Sequence, residues 1–253
     1  MSDLISAVSD LARIMGANAV GYYGKTIDPE LKHDGSPVTE ADRSSEAIAR
    51  EWIQKFFPDD GILGEEFGVH KPDARRRWII DPIDGTKAFI RRVPFWGSLV
   101  AIVEGGEVLA GAASFPALSE TLVAARGEGC WWNDSRCVVS TVQDMSMATV
   151  LTTDAAFRDH SDKERGWSAL SEIAGTSRTW GDCVGYLLVA TGRAEVMVDP
   201  VVAPWDVAAL MPVIVEAGGV FTDWDGNPTA FNGSAIATNE ALAKDVRTTI
   251  RLK

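Results

Sequence analysis

An apolar run that ends in two closely spaced aspartates is the feature that most constrains this chain. Trp78-Ile79-Ile80 predicts a short buried strand, and Asp81-Pro82-Ile83-Asp84-Gly85-Thr86 follows it at once. Proline fixes φ and lacks an N–H, and glycine permits a sharp bend and the close approach of a ligand. The strand therefore opens into a tight turn on which Asp81 and Asp84 can converge on one hard cation. The alternative is an Asx turn, in which Asp84 bonds nearby backbone N–H groups.

Further acids follow short apolar runs elsewhere in the chain. Glu65 comes after Ile62-Leu63-Gly64, Asp206 lies at the predicted start of a helix, and Asp42 lies three residues after Thr39. Two of them have purely structural alternatives: Asp206 can complement a helix dipole, and Asp42 can be the acidic member of a capping box. With no His or Cys partners, these acids describe an all-oxygen site, which suits Mg²⁺ or Mn²⁺ rather than zinc. Such a site predicts metal-assisted phosphoryl chemistry.

The composition argues against several other classes of function. The chain has 253 residues, with 24 Lys+Arg and 36 Asp+Glu, which gives a formal net charge of −12. That charge disfavours polyanions and anionic lipid surfaces, so we expect no nucleic-acid partner and no membrane partner. The three cysteines form no CxxC pair, and we recognise neither a signal peptide nor an apolar run of the ~18 residues that a membrane span needs. We therefore expect a cytoplasmic protein.

Residues 1–140 are predicted to form helices packed on an antiparallel sheet. Apolar residues from Leu4 to Ala19 recur every three or four positions, which predicts an amphipathic helix. A loop or weak hairpin over 25–38 precedes a second helix, which is capped by Thr39 and ends near Phe57. Strands are predicted over 78–81, 99–103, 108–114 and 121–125, with Gly105-Gly106 as a hairpin turn.

Residues 141–253 show a different rhythm, in which short strands alternate with helices. Strands are predicted near 150 and over 195–198, 220–222 and 235–238, and helices over 163–173, 184–190, 205–216 and at the end of the chain. This alternation indicates layered α/β structure. No linker separates the two parts, so we expect them to pack tightly as one catalytic unit. The first part carries most of the candidate metal ligands, and the second carries Asp206.

Three of these segments together resemble the signature motifs of the inositol monophosphatase superfamily. They are Gly64-Glu65-Glu66, Asp81-Pro82-Ile83-Asp84-Gly85-Thr86 and Trp205-Asp206-Val207-Ala208-Ala209, in the family's order and spacing. The resemblance covers essentially the whole chain. It implies a layered α-β-α-β-α sandwich of mixed α+β and α/β structure, a homodimer, and Mg²⁺-dependent hydrolysis of a small phosphate monoester.

The resemblance also implies a set of ligands that two divalent ions share. The first ion would take Glu65, Asp81 and the carbonyl oxygen of Ile83, and the second would take Asp81, Asp84 and Asp206. Glu65 would hold a third, weaker ion through waters. Mg²⁺ is the expected ion, with Mn²⁺ as the alternative.

The remaining motif residues are implied to bind and activate the reactants. The backbone N–H groups of Gly85 and Thr86 would hold the phosphate. The Thr86 hydroxyl, oriented by Asp42, would help to deprotonate the attacking water, with Glu65 as the third catalytic residue. This relay makes chemical sense, because a carboxylate can take the proton that threonine alone cannot hold. Lys32 is expected either to support the water shell of the third ion or to be an ordinary solvated lysine.

The second half of the chain is expected to decide which phosphate ester is cleaved. The run 178–200 resembles the histidinol-phosphate phosphatase branch of the superfamily, and so does the run 87–90. Histidinol phosphate carries an ammonium and an imidazole, so its pocket should offer carboxylates besides the metal ligands. The candidate substrate-binding residues are Gly181, Asp182, Cys183 and Asp199. Asp182 has an alternative role as a helix N-cap, and Asp199 as a turn residue.

Three rival functions stay open at this point. Two are enzymes of the same superfamily, an inositol-1-monophosphatase and a 3′-phosphoadenosine-5′-phosphate phosphatase. The latter should need a basic or aromatic nucleotide pocket, and the sequence points to none. The third is a metal-binding interaction protein that has lost catalysis. The presence of Thr86, Asp42 and Glu65 disfavours it, because binding alone needs no water-activating pair.

Overall fold

The computed structural model of the chain describes residues 3–33, 35–157 and 160–251. The helices are α1 (Asp3–Val20), α2 (Glu40–Phe56), α3 (Thr86–Phe89), α4 (Ser161–Ile173), α5 (Asp182–Ala190), α6 (Pro204–Val207), α7 (Leu210–Glu216) and α8 (Ala243–Ile250). The first strands are β1 (Glu30–Leu31), β2 (Pro37–Val38), β3 (Gly61–Gly64), β4 (Gly68–His70), β5 (Arg76–Asp84), β6 (Gly97–Glu104), β7 (Glu107–Phe115), β8 (Glu120–Ala125), β9 (Gly129–Trp132) and β10 (Ser135–Arg136). The later strands are β11 (Thr149–Leu151), β12 (Thr176–Arg178), β13 (Val196–Asp199), β14 (Gly219–Thr222) and β15 (Ala235–Asn239).

The first large sheet has the strand order β10-β9-β8-β7-β6-β5-β3-β4. Its neighbours pair antiparallel, except that β3 runs parallel to β5 with Gly64 opposite Ile80. The expectation of a purely antiparallel sheet is therefore wrong at this one pair. The chain leaves β3, adds β4 on the outer side and returns over 71–75 to start β5 in the same direction as β3. This parallel pair places the end of β3, and with it Glu65, at the same edge of the sheet as Asp81.

The second sheet has the order β12-β11-β13-β15-β14. β11 pairs parallel with both β12 and β13, while β15 pairs antiparallel with β13 and β14. The sheet therefore mixes both directions, as crossover helices and hairpins together require. Asp199 ends β13, so it lies at the edge of this sheet where a parallel strand terminates.

Helices and sheets alternate in layers, as the sequence predicts. Apolar residues of α1 and α2 pack with Trp78 and Ile80 on one face of the first sheet. α5 and α7 pack between the two sheets, where Leu187 and Val213 join a core that includes Leu99 and Met197. α4 and α8 cover the outer face of the second sheet. The predicted α-β-α-β-α sandwich is thus confirmed, and burying each large apolar side chain in it contributes about 1.5–3 kcal/mol.

Most predicted elements are present with shifted ends. Residues 25–38 form the weak hairpin β1–β2, and Thr39 caps α2. The predicted helix over 205–216 is interrupted, because α6 and α7 are separated by Ala208 and Ala209. The strands of the two sheets lie on either side of residue 140, and the largest apolar cluster draws side chains from both parts. The division into two functional parts stays a prediction.

Among the described residues, no helix is both long enough and apolar enough to cross a membrane.

Candidate active site

The turn at the end of β5 is held by its own first aspartate. The Ile83 N–H donates to Asp81 Oδ1 at 3.0 Å, and the pairing of β5 with β6 shifts register between Asp81 and Asp84. Gly85 adopts φ 86°, and a Cβ there would lie 2.5 Å from the Phe95 carbonyl oxygen. Only glycine fits this bend. The Asx-turn alternative is wrong for Asp84, because Asp81 makes the local bond and Asp84 Oδ2 accepts from the distant Cys183 N–H.

Three carboxylates converge at this turn. Asp81, Asp84 and Asp206 each place an oxygen within 4.8 Å of the other two. Asp206 lies in the single turn of α6, where its Oδ2 accepts a hydrogen bond of 2.7 Å from the Ala203 N–H. It therefore also occupies the acidic first-turn position that was its structural alternative. The first sheet supplies two acids and the segment after β13 supplies the third, so the group exists only when both parts of the chain fold.

These carboxylates repel one another in a poorly solvated position. Burial raises the pKa of Asp81 well above its usual range, and the charges of Glu65, Asp84 and Asp206 raise it further. Burial, with the nearby Asp182 and Asp206, likewise raises the pKa of Asp84. Burial and the charge of Glu65 raise the pKa of Asp206 to about 7, although the hydrogen bond from the Ala203 N–H lowers it. Concentrated oxygen donors that disfavour their own ionisation suit a hard divalent cation.

Glu65 lies beside this group and forms an ion pair with Lys32. The Lys32 ammonium lies 2.7 Å from Glu65 Oε1 and 2.8 Å from Glu66 Oε1. Burial alone would lower the pKa of Lys32, but the two carboxylates raise it above its ordinary value. Lys32 is therefore not an ordinary solvated lysine. Its predicted support for a metal's water shell stays a prediction, as does the role of Glu65 as a metal ligand.

The Thr86 hydroxyl lies between two acceptors. Its Oγ1 is 3.2 Å from Asp42 Oδ1 and 2.9 Å from the Ile83 carbonyl oxygen. The Asp42 carboxylate is fully buried, and its Oδ2 accepts from the N–H and the hydroxyl of Thr39 at 2.7 and 2.6 Å. The predicted capping box and the predicted contact with Thr86 therefore exist together. Burial raises the pKa of Asp42, which makes it a better proton acceptor than a solvated aspartate.

A small cavity of about 80 Å³ opens beside the acidic group. It is lined by Asp84, Thr153, Asp182, Cys183, Tyr186, Asp199, Val201, Val202, Asp206 and Val207. A larger cavity of about 380 Å³ between the β6–β7 hairpin and α7 contains none of the predicted site residues. The small cavity is the better candidate because Asp84 and Asp206 of the acidic group line it, together with Asp182 and Asp199.

The predicted substrate residues lie around this cavity in different ways. Asp182 is the first residue of α5 with φ 49°, and burial together with Asp199 raises its pKa to about 6. The N-cap alternative is wrong, since Gly181 is the N-cap residue and the helix has no side-chain cap. A Cβ on Gly181 would lie 2.2 Å from the Thr153 Cα, so this glycine permits close packing. A non-glycine residue at positive φ is strained and marks a place to look for function.

Asp199 and Cys183 are both buried and hydrogen-bond to other residues that line the cavity. Asp199 is buried and accepts from the Tyr186 hydroxyl at 2.9 Å and the Thr153 N–H at 3.2 Å. Its turn-residue alternative does not account for this buried carboxylate at the end of β13. Cys183 is buried and holds Asp84 through its N–H. Thr153 and Tyr186 were not predicted from the sequence, although Tyr186 lies within the run 178–200 that carries the resemblance.

Comparison with known proteins gives concordant findings. A family model described as the inositol monophosphatase family matches residues 1–251. The histidinol-phosphatase of Chlorobaculum parvum is 41% identical over 94% of this chain and 92% of its own length. The histidinol-phosphatase of Mycobacterium tuberculosis is 37% identical over 97% of this chain and 96% of its own.

Relatives with another substrate in their name match as well. The inositol-1-monophosphatase of Rhizobium meliloti is 34% identical over 90% of this chain and 87% of its own. Among solved structures, the extragenic suppressor protein suhB from Bartonella henselae superposes with a TM-score of 0.93 at 27% identity, covering 99% of both chains.

Proposed function

Since this chain belongs to the inositol monophosphatase family and is a phosphoric monoester hydrolase, we propose that it hydrolyses L-histidinol phosphate to L-histidinol and phosphate. The observation that carries the proposal is the cavity in which Asp182 and Asp199 adjoin the group Asp81, Asp84 and Asp206. One side of this site suits metal and phosphate, and the other suits a cationic alcohol.

We assign the metal positions to the oxygen donors of the first site. Asp81, Asp84 and Asp206 would hold a divalent cation between them, and Glu65 with the Ile83 carbonyl would complete the positions for two or three ions. Mg²⁺ fits this donor set, and Mn²⁺ is the alternative. When bound, the cations acidify a water and offset the charge of the transferring phosphoryl group for an in-line attack.

The Thr86–Asp42 pair would take the proton of the attacking water. The Thr86 hydroxyl accepts that proton as its own passes to Asp42 Oδ1, which already lies at 3.2 Å. Asp42 can accept it because burial raises its pKa. Thr39 holds the other oxygen of Asp42 through two hydrogen bonds, so the accepting oxygen is fixed in orientation.

The start of α3 would orient the phosphate. N–H groups in the first turn of a helix have no acceptor within that helix, and α3 begins at Thr86. The N–H groups of Gly85 and Thr86 are therefore available to phosphate oxygens. The bend at Gly85 brings this backbone next to the acidic group, which a residue with a Cβ would not allow.

Asp182 would recognise the cationic part of the substrate. Both Asp199 oxygens already accept hydrogen bonds, so Asp199 contributes charge and holds Tyr186 in place. Asp182 lines the cavity, and a nearby cation would favour its ionised form. Inositol 1-phosphate is the second candidate substrate because of the Rhizobium meliloti relative. An inositol ring carries no cation, so Asp182 would gain less from it.

A direct comparison of rates tests the proposal. Phosphate release is measured from L-histidinol phosphate, inositol 1-phosphate and 3′-phosphoadenosine 5′-phosphate at saturating Mg²⁺. We expect kcat/KM for histidinol phosphate to exceed the other two by at least about tenfold, which is ~1.4 kcal/mol of preferential transition-state binding. Equal or greater kcat/KM for inositol 1-phosphate contradicts the substrate assignment.

As the family resemblance implies, we also propose a cytoplasmic homodimer.

A further inference from the structure

A fully buried carboxylate on α2 holds the turn that carries Glu65. Glu46 Oε2 accepts from the Glu66 N–H at 2.7 Å, and its Oε1 accepts from the Phe67 N–H at 3.1 Å. The same Oε1 accepts from Arg50 Nε at 2.8 Å. The Glu46 side chain has no exposed surface. A buried carboxylate of this kind is stable only because all these donors face it.

The turn 65–68 also contacts the Arg50 side chain. Arg50 donates from its second guanidinium nitrogen to the Gly68 carbonyl oxygen, and its guanidinium lies 5.7 Å from the centre of the Phe67 ring. A Cβ on Gly64 would lie 2.0 Å from Glu46 Oε1, so the strand end touches the carboxylate directly. The backbone around Glu65 is therefore fixed by α2 rather than by β3 alone.

The same face of α2 also carries Asp42, the proton acceptor of the Thr86–Asp42 pair. Asp42, Glu46 and Arg50 are spaced by four residues, which places them in one row along the helix. Asp42 fixes Thr86, and Glu46 fixes the turn that presents Glu65. We propose that Glu46 is a positioning residue, which sets the Glu65 carboxylate at a fixed distance from Asp81 and Thr86 and so sets the affinity for divalent cations. The inference rests on the proposed function, in which Glu65 is a metal ligand.

The variant Glu46→Gln separates positioning from simple burial. Glutamine has one acceptor oxygen, so its amide nitrogen cannot accept from the donors that face the other Glu46 oxygen. Mg²⁺ binding is measured by calorimetry without substrate, and phosphate release is measured across Mg²⁺ concentrations. We expect the Mg²⁺ concentration for half-saturation to rise at least tenfold, with KM for histidinol phosphate at saturating Mg²⁺ within twofold of wild type. Glu51→Gln, on an exposed position of the same helix, is the matched control and should change neither value.

Hydrogen exchange gives a local readout that needs no metal. Protection of the Glu66 and Phe67 amides should fall in Glu46→Gln, while amides of β5 keep theirs. Where Glu46→Gln does not fold, Arg50→Lys is the second variant. Lysine keeps the positive charge beside Glu46 but lacks the second nitrogen that donates to the Gly68 carbonyl oxygen, so it should also weaken Mg²⁺ binding. Mg²⁺ affinity equal to wild type despite lost amide protection overturns the positioning role. Absence of Mg²⁺ binding or phosphate release in wild type instead overturns the proposed function.

Cys130 and Cys137 lie at the opposite edge of the first sheet from the turn 65–68. The register Ser135↔Trp132 and Arg136↔Trp131 between β10 and β9 places Cys137 directly opposite Cys130 as the next pair. Cys137 N–H donates to the Cys130 carbonyl oxygen at 3.1 Å, and the two Sγ atoms are also 3.1 Å apart. Directly opposite residues in an antiparallel pair have Cα atoms ~4.5–5.5 Å apart, within the range that a disulfide spans. Both thiols are free and buried in the structure, with Cys137 7% and Cys130 1% exposed.

We infer that Cys130 and Cys137 form a modification site that a hydroperoxide oxidises to an intrachain disulfide. The Cys137 thiolate attacks a peroxide oxygen, the O–O bond breaks, and a sulfenic acid and one water or alcohol result. The Cys130 sulfur then attacks the sulfenic sulfur and the second oxygen leaves as water, so two thiols lose two electrons to one peroxide. Cys137 is the more exposed of the two thiols, and the hydrogen bond with Cys130 lowers its pKa, so Cys137 is the attacking group.

Peptide mapping tests this site in the native protein. After hydrogen peroxide treatment of the folded protein, free thiols are alkylated in denaturant because all three cysteines are buried. Trypsin cleavage at Arg136 then separates Cys130 from Cys137 in the sequence, so only a disulfide keeps the two peptides together. We expect alkylatable cysteines to fall from three to one, with reversal by dithiothreitol. Cys183→Ser should still form the link, whereas Cys130→Ser should give a Cys137 sulfenic acid that dimedone traps. Three free thiols after a treatment that fully oxidises glutathione, or a link through Cys183, overturns the inference.

Discussion

Replacing Asp84 by asparagine separates the stability of the acidic group from its function. Asp84, Asp81 and Asp206 place oxygens within 4.8 Å of one another. At an effective dielectric of ~20, two unit charges at this separation repel by about 3.5 kcal/mol. Closer charges repel more, and the raised pKa values mean that in the metal-free protein the acids avoid part of this repulsion by holding protons. Asparagine keeps an oxygen that accepts from the Cys183 N–H.

Two opposite effects are therefore expected from Asp84→Asn. The metal-free variant should be at least as stable as wild type, because a repelling charge is lost and the hydrogen bond stays. Turnover of histidinol phosphate should fall at least about 10³-fold, or ~4 kcal/mol, because a ligand charge for the cation is lost. Thermal unfolding with and without Mg²⁺, and phosphate release, are the measurements. Asp59→Asn, at an exposed position, is the control.

Either of two results would exclude this role of Asp84. Activity of Asp84→Asn within about tenfold of wild type would remove Asp84 from the reacting centre. A metal-free variant much less stable than metal-free wild type would show that the Asp84 carboxylate stabilises the fold rather than destabilising it. Stabilisation by Mg²⁺ should also shrink in the variant, since a ligand that binds only the folded state stabilises it in proportion to its affinity.

Further predictions concern the proton path, the substrate and pH. Thr86→Val should lower kcat by about 10²–10⁴-fold while Mg²⁺ binding by calorimetry stays near wild type; an unchanged kcat would exclude the proton path through Thr86. Asp182→Asn should raise KM for histidinol phosphate more than for glycerol phosphate, and equal increases would remove Asp182 from recognition of the cation. Because the pKa of Asp206 is raised to about 7, the folded metal-free protein holds more protons than the unfolded chain between about pH 4 and 7. This contribution to stability is lost as pH rises through that window, so Mg²⁺ should raise the unfolding temperature more at about pH 8 than at about pH 5.5; the opposite order contradicts the assignment.

The sequence predicted the turn of the site because its residues have local consequences. Pro82 and Gly85 restrict the backbone, and an apolar strand before Asp81 fixes where the turn begins. The layered fold was also predictable, since helical and strand periodicities change near residue 140. The capping box at Thr39 follows from spacing alone and is present with Asp42 as its acidic member.

What the sequence did not predict depends on contacts between distant segments. The parallel pairing of β3 with β5 places Glu65 beside Asp81, and no local pattern encodes the direction of a strand. The contact from the Cys183 N–H to Asp84 joins residues 99 positions apart. Glu46 was missed because periodicity arguments seek apolar residues on the buried face of a helix. A charged residue four positions after Asp42 was the only available signal.

In the proposed mechanism, the acidic group binds phosphate only when divalent cations occupy it. The most direct measurement is phosphate release from L-histidinol phosphate by enzyme freed of metal with a chelator, followed over added Mg²⁺. We expect no turnover above background without metal, and saturable recovery as Mg²⁺ is returned. Turnover at the same rate in excess chelator would contradict it.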